Sequence, residues 1–345
     1  MTVTVGIRTD AGAQRGVGHL VRCVALAEEL VERGVAVKFL SDLGGLSWAE
    51  LQLTRRGLPW HPAPYDPVGL VAACDRLGLD ALVIDSYTLP AEHSAAVRRT
   101  GRPVLAIVDG DFRGQTADIY VDQNLDAAID TEDAVGLAGL DYALLRTSVR
   151  HLRPLEAPVL FTHDPNDDKR AAGRTPKVIA FFGGTDAYRA APQIARLLTA
   201  TGVAFDATVV AADDSLRADL IAVEAGPGQH FEIIAPTDDL PKLLVGADLA
   251  VSASGTSTWE LLCLGLASAL VWVVDNQILG YERTIAHGYA AGLGRLGQFT
   301  DKSVDVLREL LTRPGSRAAL ATRAWSAVDG RGVERVADAL LSSLR

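Results

Sequence analysis

Short runs of β-branched and apolar residues alternate along this chain with segments of helical periodicity. The run at 2–7 is followed by apolar residues at helical spacing over 20–33, and Gly34 ends that pattern. Further strand-like runs follow at 35–40, 81–85, 104–109 and 119–121. Strands that alternate with helices form right-handed βαβ units, in which helices cover both faces of a parallel sheet. The pattern therefore predicts an α/β fold.

The length of the chain indicates two domains. Its 345 residues, 48% of them hydrophobic, exceed the usual size of a single core. The alternation stops over about 151–176, where several prolines and the polar run 164–170 favour a linker or an inserted loop. A second alternating series begins at 177. We therefore predict an N-terminal Rossmann-like domain over 1–150 and a C-terminal Rossmann-like domain over 177–345.

Charge and composition exclude several kinds of partner. The formal net charge is −10, and no run of Lys and Arg is available to neutralise the phosphates of a nucleic acid or an anionic membrane. No basic leader opens the chain and no apolar stretch is long enough for membrane insertion, so we expect a cytoplasmic protein. Cys23, Cys74 and Cys263 lie in apolar helical stretches, which is typical of buried thiols. We expect no metal and no other cofactor, and no pattern indicates an oligomeric state.

A turn of small residues follows the strand-like run at 249–252. It consists of Ser254, Gly255, Thr256 and Ser257 and leads into a helix. Such a turn exposes backbone N–H groups at the positive end of the helix dipole, where a phosphate or pyrophosphate binds well. Turns of this composition also serve as N-caps without any ligand.

Two more glycine turns support the ligand-binding alternative. One lies at 16–19 and again joins a strand to an amphipathic helix, and the other contains Gly183 and Gly184. Ligands of open α/β sheets bind at the carboxyl ends of the strands, so turns 183–186 and 254–258 should share one rim. Turns in both halves of the chain indicate a small nucleotide bound in a cleft between two domains.

Seven motifs occur in a fixed order along the chain, namely 8–27, 84–87, 108–111, 142–146, 182–186, 252–260 and 276–277. Together they resemble the UDP-sugar hydrolases of pseudaminic acid biosynthesis and the related spore-coat polysaccharide proteins. Those families share the GT-B architecture with the peptidoglycan N-acetylglucosaminyl transferase. The resemblance covers most of the chain outside about 151–176. It implies two Rossmann-type, doubly wound domains with an interdomain cleft, and a UDP-sugar as substrate.

The resemblance assigns the nucleotide to the C-terminal domain. It implies that Gly255, Thr256 and Ser257 offer donors to the pyrophosphate, and that Glu260 accepts hydrogen bonds from the ribose hydroxyls. A carboxylate can accept two O–H donors at once, although the helix dipole alone also favours Glu at such a position. The motifs place further substrate-binding candidates in this domain at Gly183, Gly184, Asp186, Ser254 and Gln277.

For the chemistry, the resemblance implies that His19 is the catalytic base, and imidazole is a side chain well suited to proton transfer. Tyr87 and Asn276 match residues near the sugar and are the other catalytic candidates. Asp10, Gly18 and Arg22 belong to the first motif and are candidates for sugar binding or for fixing the loop. Taken alone, an arginine at the position of Arg22 is typical of a helix surface.

Three functions remain open at this point. A glycosyltransferase that moves the sugar to a small acceptor, such as the nucleobase used by cytosylglucuronic acid synthases, is favoured because added structure beside the cleft suits an acceptor pocket. A UDP-sugar hydrolase would use water instead. A non-catalytic sugar-nucleotide-binding protein would have His19 and Tyr87 facing away from the cleft. The chain departs from the hydrolases at 151–176 and at 187–189, where they usually have an asparagine.

Overall fold

A computed structural model of the chain describes residues 2–12, 16–158 and 174–344. The chain divides into two compact units. The first comprises Met1–Thr147 together with Gly330–Arg345, and the second comprises Ser148–Asp329. Each unit has its own parallel sheet, so the predicted α/β class with two domains is confirmed.

The first unit has a Rossmann-type sheet. Its strands are β1 (Thr4–Asp10), β2 (Ala36–Asp42), β3 (Trp60–Pro62), β4 (Ala81–Asp85), β5 (Val104–Ile107), β6 (Ile119–Asp122) and β7 (Val135–Ala138). They are parallel and lie in the order β3-β2-β1-β4-β5-β6-β7. The connecting helices are α1 (Gly18–Glu32), α2 (Ser47–Thr54), α3 (Pro67–Leu77) and α4 (Glu92–Arg98), and β7 is followed by a 3-10 helix (Leu140–Tyr142) and by α5 (Thr147–Arg150).

Helices cover both faces of this sheet, so its central strands are apolar without interruption. In β4, Ala81 and Val83 belong to the core that contains α1, whereas Leu82 and Ile84 belong to the core that contains α3. Successive side chains of a strand point to opposite faces, and here both faces are buried. The carboxyl ends of the strands are therefore the places where polar side chains emerge.

The second unit repeats the architecture. Its strands are β8 (Lys177–Phe181), β9 (Phe205–Val210), β10 (Gln229–Ile234), β11 (Leu249–Ala253), β12 (Ser268–Trp272) and β13 (Ala291–Arg295). They form a parallel sheet in the order β10-β9-β8-β11-β12-β13. Its helices are α6 (Ala190–Thr199), α7 (Asp214–Ile221), α8 (Leu240–Val245), α9 (Ser257–Leu264), α10 (Ile278–Ala286), α11 (Asp301–Thr312) and α12 (Pro314–Ala327), with a 3-10 helix at Asp275–Gln277.

The last helix, α13 (Gly332–Ser342), differs from the predicted division of the chain. The sequence-based boundaries place it in the C-terminal domain, but it belongs to the first unit. Its apolar face, formed by Val333, Val336 and Leu340, packs in the same core as α1. The chain therefore returns to its first unit after completing the second.

The predicted linker segment 151–176 also differs where the structure describes it. Residues 148–158 belong to the second unit, where the guanidinium of Arg153 donates to the carbonyls of Cys263 and Trp325 at 2.7 and 3.0 Å. The indole N–H of Trp325 donates in turn to the carbonyl of Pro154 at 2.9 Å. This part of the segment is fixed by hydrogen bonds. Residues 159–173 lie outside the described residues.

The strand orders fix where a ligand can bind. In the first sheet the order reverses direction between β1 and β4, and in the second it reverses between β8 and β11. The connections that leave neighbouring strands at such a point run to opposite faces and open a crevice at the carboxyl edge. The turns at 16–19, 183–186 and 254–257 follow β1, β8 and β11 at these edges.

Two further expectations can be compared with the structure. Cys23, Cys74 and Cys263 are all free and buried, as their apolar setting predicted. Burial raises the pKa of the Cys74 thiol to about 11 and that of Cys263 to about 11, which makes them poor nucleophiles. Within the described ranges, every helix is too short or too polar to cross a membrane.

The entry of α13 yields a stability prediction. A Cβ atom on Gly332 would lie 2.3 Å from the carbonyl oxygen and 2.5 Å from the nitrogen of Ala143, so backbone must move to accept it. We expect Gly332→Ala to lower the free energy of unfolding by about 1–3 kcal/mol. The matched control is Gly315→Ala, because Gly315 in α12 has open space around it. Urea denaturation that gives both variants wild-type stability would contradict this packing.

Candidate functional site

A buried arginine organises the carboxyl edge of the first sheet. Arg22, on the second turn of α1, is 4% exposed. Its Nε and Nη2 atoms donate to the two carboxylate oxygens of Asp85 at 2.6 and 2.7 Å. Its Nη1 and Nη2 atoms donate to the two oxygens of Asp109 at 2.9 Å each. The arginine thus joins α1 to the ends of β4 and β5. We call Arg22, His19, Asp85, Tyr87, Asp109 and Asn124 the Arg22 cluster.

The same carboxylate holds the candidate base. His19 Nδ1 lies 2.5 Å from Asp85 Oδ1, and an ionised carboxylate can only accept. Nδ1 therefore carries a proton. Arg22 Nη2 lies 3.2 Å from Nδ1, but the two do not bond because both nitrogens are donors. The other ring nitrogen, Nε2, is left with its lone pair in the neutral ring. This arrangement can accept a proton at Nε2.

Tyr87 and Asn124 complete the Arg22 cluster. The Tyr87 hydroxyl donates to Asp109 Oδ2 at 2.7 Å, and Asn124 Nδ2 donates to Asp109 Oδ1 at 3.0 Å. The Tyr87 ring stands edge-on to the imidazole of His19, with 4.3 Å between ring centroids. Tyr87 is nevertheless 47% exposed. Its ring therefore lies at the surface of the sheet edge, beside His19.

The charges of the Arg22 cluster stabilise one another. Burial favours the neutral form of Asp85, but Arg22 and His19 outweigh it, so the pKa of Asp85 lies below its usual range. Burial opposes the charge of Asp109 in the same way, and Arg22 with the Tyr87 and Asn124 donors holds its pKa well below normal. Burial and the Asp109 charge raise the pKa of Tyr87. Both carboxylates stay ionised and the phenol stays protonated.

Asp10 and Gly18 support this edge. The carboxylate of Asp10 contacts Arg8 and accepts the Asp42 N–H at 3.0 Å, which ties the end of β1 to the end of β2. Gly18 is the first residue of α1, directly before His19. Asp10 thus fixes the ends of β1 and β2, and its predicted part in sugar binding or in fixing the glycine turn stays a prediction. Residues 13–15 of the glycine turn lie outside the described residues.

Asp85, Asp109 and Asn124 were missed as site residues. Of the motifs 84–87 and 108–111, only Tyr87 was predicted as a site residue. A usable signal was present, because Asp85 is the last residue of β4, and Asp109 and Asn124 lie two residues after β5 and β6. Such positions lie at the ligand-binding edge of a parallel sheet. The helix-surface alternative for Arg22 was wrong, since a helical pattern does not show which side chain is covered by distant carboxylates.

In the second unit, the turn at 254–257 follows β11 as predicted. Ser254 is buried, and its N–H donates to Val271 on the neighbouring strand at 2.8 Å. The Gly255 N–H donates to Thr258 Oγ1 at 3.3 Å, and Thr256 is the N-cap of α9 without a side-chain cap. Thr256 and Ser257 lie at the start of this helix, where backbone N–H groups have no acceptor within the helix. These donors suit an anion.

Three more predicted residues lie near this turn. Gln277 Oε1 accepts the Val273 N–H at 2.8 Å, and its Nε2 atom lies 3.8 Å from the Cβ position of Gly255. Asn276 is exposed in the same 3-10 helix. Glu260 is the fourth residue of α9 and is 5% exposed. Gly255 and Gln277 are thus brought together.

The third glycine turn follows β8. Gly183 has a φ of 72°, a conformation that favours glycine, and Gly184 continues the turn. Both oxygens of Asp186 accept backbone N–H groups at the start of α6, from Ala190 at 2.8 Å and from Ala191 at 2.9 Å. Burial raises the pKa of Asp186 to about 6, although the two backbone N–H donors lower it. Asp186 therefore holds the turn in place, and contact with a substrate is a prediction for this residue.

A metal site would need several His, Cys, Asp or Glu side chains close together. Within residues 2–12, 16–158 and 174–344, no group of three or more His, Cys, Asp or Glu side chains has the spacing to hold a metal ion.

No family model matches the sequence. Over 349 residues the chain is 23% identical to the spore coat polysaccharide biosynthesis protein SpsG of Bacillus subtilis, covering 96% of each. Over 347 residues it is 24% identical to the UDP-N-acetylglucosamine–N-acetylmuramyl-(pentapeptide) pyrophosphoryl-undecaprenol N-acetylglucosamine transferase of Xanthomonas oryzae pv. oryzae, covering 94% of this chain and 76% of the relative.

Solved structures share the fold. MurG of Acinetobacter baumannii superposes with a TM-score of 0.73 at 16% identity over 99% of both chains. The UDP-GlcNAc 2-epimerase of Neisseria meningitidis bound to UDP-GlcNAc gives 0.63 at 13% identity over 99% of this chain and 100% of that one. The spinosyn rhamnosyltransferase SpnG gives 0.62 at 13% identity over 98% and 100%. The predicted GT-B architecture, with two Rossmann-like units, is confirmed.

The Arg22 cluster predicts a pH-dependent stability effect. Arg22→Met leaves two buried carboxylates without their cation, which should lower the free energy of unfolding by about 3–5 kcal/mol at pH 7. In the wild type the depressed pKa values of Asp85 and Asp109 add stability above the unfolded value of about 3.9 and lose it below. In the variant both pKa values rise above the unfolded value, so its stability should increase as the pH falls from 7 to 5.

Urea denaturation at both pH values measures this effect. Arg76→Met is the control, because Arg76 is an exposed residue in the last turn of α3. A loss of stability in Arg22→Met that is the same at pH 5 and pH 7 would show that the two carboxylates are not held by Arg22.

Proposed function

We propose that this chain is a UDP-sugar-dependent enzyme that breaks the anomeric C–O bond and transfers the sugar to a small acceptor. The observation that carries the proposal is the pair formed by His19 and Asp85, in which Nδ1 lies 2.5 Å from the carboxylate and Nε2 has no hydrogen-bond partner among the residues that the structure describes. The similarity to a transferase whose name specifies UDP-N-acetylglucosamine supports it. So does the shared fold with a UDP-GlcNAc-bound structure.

His19 is the general base in this proposal. Its Nε2 accepts the proton of an acceptor O–H or N–H while the acceptor atom forms a bond to the anomeric carbon. The bond between that carbon and the β-phosphate oxygen breaks, and UDP leaves with the electron pair. Asp85 stabilises the imidazolium that forms, and it keeps Nε2 directed at the reacting atoms.

Arg22 is a positioning residue. All three of its side-chain nitrogens are engaged by Asp85 and Asp109, so sugar binding by Arg22 is not part of the proposal. Its charge keeps Asp85 ionised, and an ionised Asp85 is required to hold the proton on Nδ1 of His19. Tyr87 and Asn276 remain candidates for contact with the sugar, and both side chains are exposed.

The second unit binds the nucleotide in this proposal. The N–H groups at Thr256 and Ser257 and the positive end of the α9 dipole stabilise the diphosphate as it leaves, and Gly255 lies in the same turn. Glu260 accepts the ribose hydroxyls, and Gln277, beside Gly255, reaches the sugar or the diphosphate. Gly183, Gly184 and Ser254 shape the turns at the same sheet edge.

Water is the alternative acceptor, which would make the enzyme a UDP-sugar hydrolase with the same base. The deciding experiment incubates the protein with a panel of UDP-sugars, with and without an extract of small metabolites that includes nucleobases. Release of UDP only with extract, together with a glycoside of matching mass, supports transfer. Release of UDP and free sugar without extract supports hydrolysis. Absence of release in both arms would contradict catalysis.

Removing the proposed base should separate chemistry from binding. We expect His19→Ala to lower turnover by roughly two to four orders of magnitude, which is the usual contribution of general base catalysis, with UDP affinity nearly unchanged. His230→Ala is the control, because His230 is an exposed histidine of the other unit. Steady-state rates and calorimetric titration measure both quantities. Full activity in a folded His19→Ala protein would sink the assignment.

The proposed ribose contact should affect binding more than chemistry. Loss of a charge-assisted hydrogen bond weakens binding by roughly 1.5–3 kcal/mol, so Glu260→Ala should raise KM and the Kd for UDP with little change in kcat. Glu282→Ala, at an exposed position of α10, is the control. Calorimetry that returns wild-type UDP affinity for Glu260→Ala would refute the ribose role.

A further inference from the structure

An arginine outside the Arg22 cluster lies on the ring of Tyr87. The guanidinium carbon of Arg113 is 4.1 Å from the centroid of that ring, and the ring in turn is 4.3 Å from the imidazole of His19. The distance from the guanidinium carbon of Arg113 to the centroid of the His19 ring therefore cannot exceed the sum of these two distances. One sugar ring with its substituents can span that separation.

The Arg113 guanidinium has no carboxylate partner in the described part of the chain. The nearby acids are already engaged. Asp109 accepts from Arg22, Tyr87 and Asn124, and Asp111 Oδ1 accepts the backbone N–H of Arg113 itself at 2.8 Å. Arg22 shows the opposite condition, with every nitrogen bound to a carboxylate. Arg113 is thus a half-buried cation with its donors available.

The local backbone directs this side chain. Arg113 has a φ of 49°, a left-handed conformation that is uncommon for residues other than glycine. The Asp111 side chain closes the turn on one side, and Gly114, with a φ of 68°, continues it on the other. The guanidinium carbon lies 4.1 Å from the centroid of the Tyr87 ring, a cation–π contact that uses none of the N–H donors. These donors can therefore bind a ligand.

We infer that Arg113 recognises a carboxylate on the sugar that is transferred. The inference rests on the proposed function and narrows its substrate to an acidic sugar. The planar fork of an arginine matches a carboxylate with two parallel hydrogen bonds. The chain as a whole has a formal charge of −10, so a local cation favours binding of the additional carboxylate of an acidic sugar.

Two probes that differ at one carbon test the inference. UDP-glucuronic acid carries a carboxylate at C6, and UDP-glucose carries a hydroxymethyl group there. Calorimetry on the wild type should show roughly 10- to 100-fold tighter binding of UDP-glucuronic acid, the value of a charged hydrogen bond. Arg113→Gln should remove that preference and leave the affinities for UDP-glucose and UDP unchanged. Arg99→Gln, at the exposed end of α4, is the matched control.

Each other outcome has a definite meaning. Equal wild-type affinity for the two sugars, or a preference that survives in Arg113→Gln, overturns the inference. An Arg113→Gln protein that loses affinity for UDP itself would show that the arginine binds the diphosphate, which also overturns it. A wild type that binds neither UDP nor either sugar contradicts the proposed function instead, and the two failures are thereby distinguished.

Discussion

The pairing of Arg22 with two buried carboxylates is the interaction on which the first unit depends. Removing a guanidinium and two carboxylates from water is costly, and the cost is offset only where each charge meets hydrogen-bonding partners of opposite charge. Here α1 supplies the cation, and the ends of β4 and β5 supply the anions. The contact fixes the helix relative to the sheet edge. It also fixes the carboxylate that contacts Nδ1 of His19, three residues before Arg22.

The two units share one architecture but present different chemical groups at the carboxyl edges of their sheets. In the first, the carboxyl edge of the sheet carries charged side chains that compensate one another, and Nδ1 of His19 contacts one of the carboxylates. In the second, the corresponding edge presents small residues and backbone donors around Gly255. Backbone donors and a helix dipole attract a diphosphate without side-chain charge. A doubly wound sheet can present either charged side chains or backbone donors, because its apolar strands give way to polar groups at their carboxyl ends.

Much of the fold could be predicted from the sequence, because long apolar runs and helical periods mark the central strands and α1. The strands β3, β7 and β13 at the sheet edges were not foreseen, because few of their residues are buried and they contain no long apolar run. The position of α13 was missed because the sequence of an apolar helix face does not show which of the two cores the helix packs in. At the site, turns and motifs identified His19 and Tyr87. Asp85 and Asp109 needed the strand order, which brings together residues more than sixty positions from Arg22.

The most direct test of the account is the tautomer of His19, measured by nitrogen-15 NMR of histidine-labelled protein at neutral pH. The structure predicts that the neutral form of the ring carries its proton on Nδ1 and has a pyridine-type Nε2. Asp85→Asn should disturb this state, because an amide can donate as well as accept and no longer requires a proton on Nδ1. A wild-type imidazole with its proton on Nε2 would contradict the account, since the nitrogen assigned to accept the acceptor's proton would already carry one.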